Sequence, residues 1–271
     1  MKLVILFAPS ALLALDPAAE EIMAKVGENQ DRAEVLRSRY VYRQKLRARL
    51  VRTNGKLARE EFRTYDVFPG AKESEKKLVE FKGGYESKGK WHEYSEPGFE
   101  YKDVDLDGDL IDDLSNDLVN DAHSRDGFDT DLFPLTSAKQ EKYTYQLLGT
   151  SQVDGRTAWR IKYAPRKKWE GWFGGEALID TEDHEPISVY SKQAFKIPWG
   201  VRVFLGTNLE QVGFTLNYKR IAPGVWFPVS YGTEFRFGLL WRYKRVVTMS
   251  LSSSHFREAG ADSTVTFADV K

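Results

Sequence analysis

The sequence lacks cysteine altogether and holds only four histidines and three methionines among its 271 residues. Without cysteine, disulfide frameworks, thiolate zinc sites, iron–sulfur clusters and catalytic thiols are all excluded. The sequence also lacks the His-Glu-x-x-His zinc motif, the phosphate-binding and dinucleotide-binding glycine patterns and the nucleophile elbow. We therefore predict that the protein is not an enzyme. A carboxylate-dependent hydrolase is the third alternative, after two non-enzymatic ones given below.

Long apolar runs and an excess of either charge are absent as well. Lysine and arginine number 40 against 40 aspartates and glutamates, which argues against a nucleic-acid partner, and the mean hydropathy of -0.50 argues against an integral membrane protein built from helices. Met1-Lys2 followed by the apolar run to Ala14 is too short to span a bilayer. We predict a signal peptide over residues 1–14, with a first buried segment as the alternative, and a periplasmic or secreted location.

The balanced total conceals two segments of opposite charge. Residues 32–59 hold ten basic residues against Glu34, a net of +9. Residues 93–131 hold fourteen acidic residues against two basic ones, a net of -12. Whether these segments meet in the fold decides what the acidic segment binds.

The mature chain begins with a helix signal and continues with strand signals. Asp16 before Pro17 is typical of a helix start and predicts a helix over about 17–38, with a break near Gly27 as an option. From Arg39 the basic residues alternate with apolar ones, as in a strand. If Asn54-Gly55 forms a two-residue type I′ turn, Arg49 faces Glu60 and Arg43 faces Asp66.

The remaining chain is typical of successive antiparallel hairpins. Turn signals at Asp154-Gly155 and Ala222-Pro223-Gly224 separate strand-like segments. We predict one mainly β domain over 15–271, with an N-terminal helix and a curved antiparallel sheet, or half-open β-barrel, of about ten strands. One helix covers so wide a sheet incompletely and leaves an apolar cleft. The candidates to line or back it are Trp226, Phe227, Tyr231, Phe235, Trp241 and Tyr243.

An acidic insertion at about 95–134 interrupts the strand pattern and is predicted to be partly helical. Its alternating aspartates before Gly108 resemble loops that wrap oxygen ligands around calcium, although Leu114 stands where an EF-hand needs glutamate. Alternatively, the helical spacing of Ile111, Leu114 and Leu118 makes the aspartates the solvated face and cap of a helix. The candidate calcium ligands are Asp103, Asp105, Asp107, Asp109 and Asp113.

Several turn and strand motifs resemble the periplasmic lipoprotein-carrier superfamily (LolA/LolB-like), in its sorting-protein-like and uncharacterised bacterial envelope branches. They are the segment from Tyr143 through Val153-x-Gly155 to Tyr163-Ala-Pro165, Gly175-Glu-Ala-Leu-Ile-Asp180-x5-Pro186, Val225-Trp-Phe-Pro228, Asp105-Leu-Asp-Gly-Asp109, Asp131-Leu-Phe-Pro-Leu135 and Leu205-Gly-Thr-Asn208. The resemblance covers residues 140–257 and, loosely, the first helix and hairpin. It implies a half-open barrel closed by helices over an apolar cavity.

Two functional hypotheses follow. The first is a non-enzymatic carrier or sensor that holds a lipid, an acylated protein or another apolar ligand in the concave face of the sheet, with lipid or lipoprotein acyl chains as partners. The second is a calcium-stabilised envelope interaction protein whose core is filled and whose acidic insertion contacts a protein partner. No cofactor is required by the first, and calcium is the cofactor of the second.

Overall fold

The computed structural model describes residues 16–68, 74–119, 133–167, 173–193, 207–239 and 243–259. The predicted signal peptide, residues 1–14, lies outside this range. Helix α1 spans Pro17–Arg37, in agreement with the predicted 17–38, and continues through Gly27 without a break. Asp16 caps it by accepting the Ala18 and Ala19 amides at 3.2 and 3.3 Å, and Pro17 occupies the first turn, where its missing N–H costs nothing.

In the described part of the chain, every helix is too short or too polar to cross a bilayer.

All the described strands form one antiparallel sheet of eleven strands, in the order β4-β3-β2-β1-β11-β10-β9-β8-β7-β6-β5. The prediction of a mainly β fold with a curved sheet of about ten strands is confirmed. The additional strands, β3 and β4, lie in a segment where the sequence analysis placed none. The strands are β1 (Tyr40–Val51), β2 (Leu57–Phe68), β3 (Glu75–Ser87), β4 (Lys90–Tyr94), β5 (Tyr143–Val153), β6 (Arg156–Pro165), β7 (Phe173–Asp180), β8 (Pro186–Gln193), β9 (Thr207–Ala222), β10 (Val225–Leu239) and β11 (Tyr243–Glu258).

The first hairpin has the predicted register but not the predicted turn. Arg43 lies opposite Asp66 and Arg49 opposite Glu60. The turn contains three residues between Arg52 and Lys56, and the Arg52 amide closes it by donating a hydrogen bond to the Lys56 carbonyl at 2.9 Å. Of the three turn residues, only Gly55 has a positive φ. A type I′ turn needs two residues with positive φ. A bulge between Leu50 and Val51 absorbs the extra residue and restores the register.

The helices cover one face of the sheet, which we call the inner face. Helix α1 packs against β5 and β10, beside the short helix α3 (Ser137–Gln140), and helix α2 (Leu106–Val119) packs against β1 and β2. Met23 and Val26 of α1 and Ile111 of α2 are buried in the same apolar core as Leu46 and Met249 of the sheet. The basic side chains of β1 at positions 43, 45, 47 and 49 point away from this core, as their alternation predicted.

Candidate functional site

A cleft of about 330 Å³ opens where β1 begins and where β2 and β11 end. A bulge creates it: Val41 pairs with Arg257 and Arg43 with Ser254, so Tyr42 alone opposes both His255 and Phe256. His255 takes the left-handed conformation, φ 57°, which turns the strand at this point. The cleft is lined by Val41, Tyr42, Arg43, Asp66, Val67, Phe68, His255, Phe256 and Arg257.

Aromatic rings back this cleft. The Phe227 ring, fully buried at the start of β10, lies 4.6 Å from the Phe256 ring and 5.2 Å from the Tyr42 ring, between centroids. Tyr40 approaches Phe227 edge to face at 6.2 Å. Such offset and edge-to-face contacts hold aromatic rings more firmly than apolar burial alone. The backing of the cleft is therefore apolar. Phe227 is one of the residues predicted to line or back an apolar cleft, and its part in binding a ligand stays a prediction.

The mouth of the cleft carries charged groups. Arg43 donates two hydrogen bonds to Asp66, from Nε at 2.9 Å and from Nη2 at 3.2 Å, and this contact raises the pKa of Arg43. His255 Nδ1 lies 2.9 Å from the Ser254 hydroxyl. Arg257 is exposed and forms no ion pair with any described residue. Arg257 is thus a cation at the mouth that is available to a ligand in the apolar part of the cleft.

The other predicted wall residues lie elsewhere. Tyr231 and Phe235 are buried in the central core, 8% exposed each. Trp226 packs on the β7–β8 turn, where its indole Nε1 donates to Asp183 Oδ2 at 3.1 Å. The Tyr243 hydroxyl donates to Asp107 Oδ1 at 2.6 Å, at the far end of the strands from the cleft. Trp241 lies outside the described residues.

The acidic insertion meets the basic hairpin through α2, and the prediction that it is partly helical is confirmed. Asp105 precedes the helix, accepts the Gly108 amide at 3.2 Å and receives Arg59 Nη1 at 2.6 Å. Arg59 and Asp105 are each 1% exposed. Gly108 lies in the helix, and a Cβ there would come within 2.8 Å of Arg59 Nη1. The glycine of the aspartate motif therefore makes room for a buried ion pair.

A second buried arginine continues this contact. Arg63 donates to Glu61 Oε2 at 2.6 Å and to Asp112 Oδ1 at 2.7 Å, and the fully buried Glu61 also accepts the Tyr94 hydroxyl at 2.6 Å. Burial and the neighbouring Glu61 carboxylate raise the pKa of Tyr94 far above its usual range, so Tyr94 stays a donor. The basic hairpin thus holds the acidic insertion against the inner face of the sheet.

The remaining candidate calcium ligands behave differently from Asp105. Asp107 is engaged by Arg245, which donates to both its carboxylate oxygens at 2.7 and 2.9 Å. Asp103, Asp109 and Asp113 are exposed, and the described residues hold no group of three or more histidine, cysteine, aspartate or glutamate side chains arranged to hold a metal ion. Arginines supply the counter-charge that the sequence analysis sought in calcium, and calcium binding stays a prediction.

Thermal unfolding tests that prediction. Because Asp105 and Asp107 already have arginine partners, we expect the same Tm in EDTA and in millimolar calcium, with magnesium as the control ion. A Tm raised by calcium but not by magnesium, and lost in Asp109→Asn, would establish a calcium site at the exposed carboxylates.

The inward-facing charges of β2 were not predicted from the sequence. Arg59, Glu61 and Arg63 alternate on the same side of β2 as the buried Tyr65 and Val67. The predicted register already placed Arg63 opposite Leu46, whose side chain faces the core. Cross-strand partners point to the same face of a sheet, so Arg63 and every second residue of β2 from it must face the core as Leu46 does. This comparison of the two strands is the signal that would have identified the inward charges.

No family model and no curated protein matches the chain. Among solved structures, it is similar to a DUF1329 family protein from Desulfovibrio piger, with 11% identity over 92% of this chain and 95% of the other and a TM-score of 0.40. It is also similar to a domain described as an outer membrane lipoprotein-sorting protein from Vibrio parahaemolyticus, with 10% identity, 89% and 95% coverage and a TM-score of 0.37.

A LolA superfamily protein from Nitrosomonas europaea is similar to 88% of this chain, over 92% of its own length, with 12% identity and a TM-score of 0.36. At these identities the likeness concerns the fold alone. The curved open antiparallel sheet, with one helix before it and a second against its inner face, agrees with the half-open barrel that the sequence predicted.

Proposed function

We propose that the protein is a non-enzymatic carrier or sensor of the bacterial envelope that binds a ligand with an apolar chain and an anionic head group. The cleft beside His255 is the binding site. The observation that carries this proposal is an open cleft with an aromatic wall and, at its mouth, the exposed Arg257, which has no ion-pair partner among the described residues. The predicted signal peptide and the LolA-like fold support a periplasmic or secreted location.

The size and the lining of the cleft suit part of an acyl chain. Its volume of about 330 Å³ lies at the lower end of the range of small-molecule sites. Val41, Phe68 and Phe256 are partly exposed and offer apolar surface, and burying a methylene against such surface is worth about 0.8 kcal/mol. A chain of several methylenes therefore gains enough free energy for micromolar binding only if the head group contributes as well.

The charge at the mouth favours an anionic head group. Arg43 is held by Asp66, whereas the exposed Arg257 has no carboxylate partner among the described residues. A carboxylate or phosphate at the mouth would gain a charge-assisted hydrogen bond from Arg257, and a neutral head group would not. A fatty acid or an anionic lipid is accordingly the ligand class that this cleft fits.

The proposal predicts that cis-parinaric acid binds the wild-type protein and that this binding is lost when the cleft is blocked. Val41 lines the cleft and is only half-buried, so Val41→Trp fills it without removing core contacts. We expect at least about tenfold weaker binding by fluorescence titration. Arg257→Gln should weaken binding of the acid and leave binding of its methyl ester unchanged.

Val246→Trp is the matched control, because Val246 is also half-buried and lines a second cleft of about 330 Å³ at the other end of the strands. This variant should bind the probe as the wild type does. Native mass spectrometry of protein purified from its envelope provides a second measurement. Absence of both a co-purifying lipid and probe binding, or equal losses in the two tryptophan variants, would refute the proposal.

A further inference from the structure

A cationic surface lies at the end of the strands opposite the His255 cleft. Val51 of β1 pairs with Val246 of β11, and Arg59 of β2 pairs with Tyr85 of β3, so the β1–β2 and β3–β4 turns and the adjoining ends of β10 and β11 lie along one rim of the sheet. Exposed cations stand on all three hairpins. We call this surface the basic rim, and its cations are Lys56, Lys88, Lys90, Arg236 and Lys244.

The cations of the basic rim lack a direct carboxylate partner within the described residues, although Lys56 acts electrostatically on the nearby Glu86. None of its five cations forms an ion pair there, while the neighbouring carboxylates Glu86 and Asp107 are engaged by Arg52 and Arg245. The exposed Glu100 and Asp103 flank Tyr101, whose ring stacks on Tyr85 of β3, and Lys102 lies between them in sequence. Unpaired cations on separate hairpins repel one another, which costs stability unless an anionic partner covers them.

Apolar and aromatic side chains stand among these cations. Trp91, next to Lys90, is 44% exposed, and its ring lies over Gly84, where a Cβ would meet it at 2.4 Å. Phe237, near the end of β10, lines the second cleft together with Thr53, Gly238, Val246 and the cations Arg236, Lys244 and Arg245. Tryptophan beside cations on a protruding rim is the composition that favours the boundary between lipid head groups and acyl chains.

We propose that the basic rim docks on the surface of an anionic phospholipid bilayer. The hairpin cations lie over the lipid phosphates, Trp91 enters the head-group layer, and the second cleft receives one phosphate head group. Charge complementarity supports this partner: several separate tips contact a broad plane at once, and each cation near an anionic membrane surface contributes about 1 kcal/mol. Docking at this rim leaves the His255 cleft, at the opposite end of the strands, free for its ligand.

Sedimentation with vesicles tests the docking. The full chain should bind vesicles of phosphatidylcholine containing about 30% phosphatidylglycerol, should not bind phosphatidylcholine alone, and should release as salt rises toward 1 M. The triple variant Lys88→Glu, Lys90→Glu, Lys244→Glu should bind at least about 30-fold more weakly. The matched control reverses three exposed lysines on other parts of the sheet, Lys45, Lys162 and Lys219, and should retain binding.

Several results would overturn this proposal. They are no binding to anionic vesicles, equal binding to both kinds of vesicle, and an equal loss in the control variant. Competition by inorganic phosphate at constant ionic strength would show a site for a small anion in place of a membrane surface. Probe binding at the His255 cleft is measured without vesicles, so failure of docking and failure of ligand binding are separate results.

Discussion

Replacing Arg63 by methionine is expected to lower the free energy of unfolding by about 3–5 kcal/mol. Arg63 is the shared partner of Glu61 and Asp112, and Glu61 is fully buried. Methionine leaves the Glu61 carboxylate in a water-excluded site, with Tyr94 as its remaining hydrogen-bond donor in the described structure and Arg59 Nε 4.0 Å from it, beyond hydrogen-bond distance. A buried charge that loses its hydrogen-bonded partner costs far more than the arginine itself contributes through packing. Urea unfolding followed by circular dichroism measures the difference.

A surface arginine of the same hairpin provides the control. Arg47 also pairs with a glutamate, Glu60, at 2.8 Å, but the arginine is about half exposed. Exposed ion pairs contribute about 0–1 kcal/mol, so Arg47→Met should change stability by less than about 1 kcal/mol. If the two variants unfold alike, Arg63 does not anchor α2.

The double variant Arg63→Met, Glu61→Leu shows how much of the lost stability comes from the carboxylate that Arg63→Met leaves buried, and how much from the loss of the ion pair itself. Removing both partners removes the unpaired carboxylate, so the double variant should recover part of the stability that Arg63→Met loses. Asp112 is partly exposed and can be solvated when Arg63 is absent. A double variant that is less stable than Arg63→Met would contradict this explanation.

Glu185 gives the second large effect, as a dependence of stability on pH. Glu185 lies at the end of the β7–β8 turn, directly before β8, and is 7% exposed. Its carboxyl group accepts a hydrogen bond from Gln30 Nε2 of α1 at 2.5 Å. Burial raises the pKa of Glu185 to about 7, against the lowering influence of Gln30, Arg37 and Arg32, while Asp183 raises it further. The contact that holds α1 to the sheet at this point is therefore made by a protonated glutamic acid in mildly acidic solution.

The direction of the pH effect follows from the raised pKa. Between about pH 4.5 and pH 7 the folded protein binds a proton at Glu185 that the unfolded chain has released, so stability falls as pH rises through this window. Glu185→Gln keeps a neutral group at all pH values. We expect this variant to match the wild type near pH 5 and to exceed its stability at pH 8 by up to about 3 kcal/mol.

Denaturant unfolding at a series of pH values tests this expectation. Glu182→Gln is the matched control, because Glu182 lies in the same turn and its side chain is 81% exposed. The stability difference between Glu182→Gln and wild type should be independent of pH. A Glu185→Gln difference that is equally flat would show that Glu185 is ionised in the folded protein.

The local pattern of the sequence determined the strand directions and the first register. Alternation along β1 identified which side chains face outward, and the Asn54-Gly55 signal located the turn, so the Arg43–Asp66 and Arg49–Glu60 pairs followed. The turn type was wrong because one extra residue in the loop and a compensating bulge leave the same register. The start of the N-terminal helix was predicted from Asp16 and Pro17, because a helix cap and a first-turn proline act on residues within one helical turn.

Long-range contacts decided what the charges do. Arg59 and Asp105 are 46 residues apart, and no local periodicity shows that each is the other's partner. The aspartate motif has the spacing of a calcium loop, yet Asp105 and Asp107 meet arginines of β2 and β11, because α2 packs on β1 and β2 and β11 is the neighbour of β1 in the sheet. The position of the His255 cleft likewise depends on a bulge in β11, which forms only when β11 pairs with β1.

The sequence by itself thus determined a curved antiparallel sheet with a helix before it, because strand and helix periods are properties of neighbouring residues. It also showed that neutrality arises from a basic hairpin and an acidic insertion. Only the tertiary structure decided that these two bind each other, since ion pairing depends on which elements the sheet order brings together. Arg257 at the His255 cleft and the cations of the basic rim are among the exposed cations that form no ion pair with a described residue, and the ligand and the membrane are proposed to bind there.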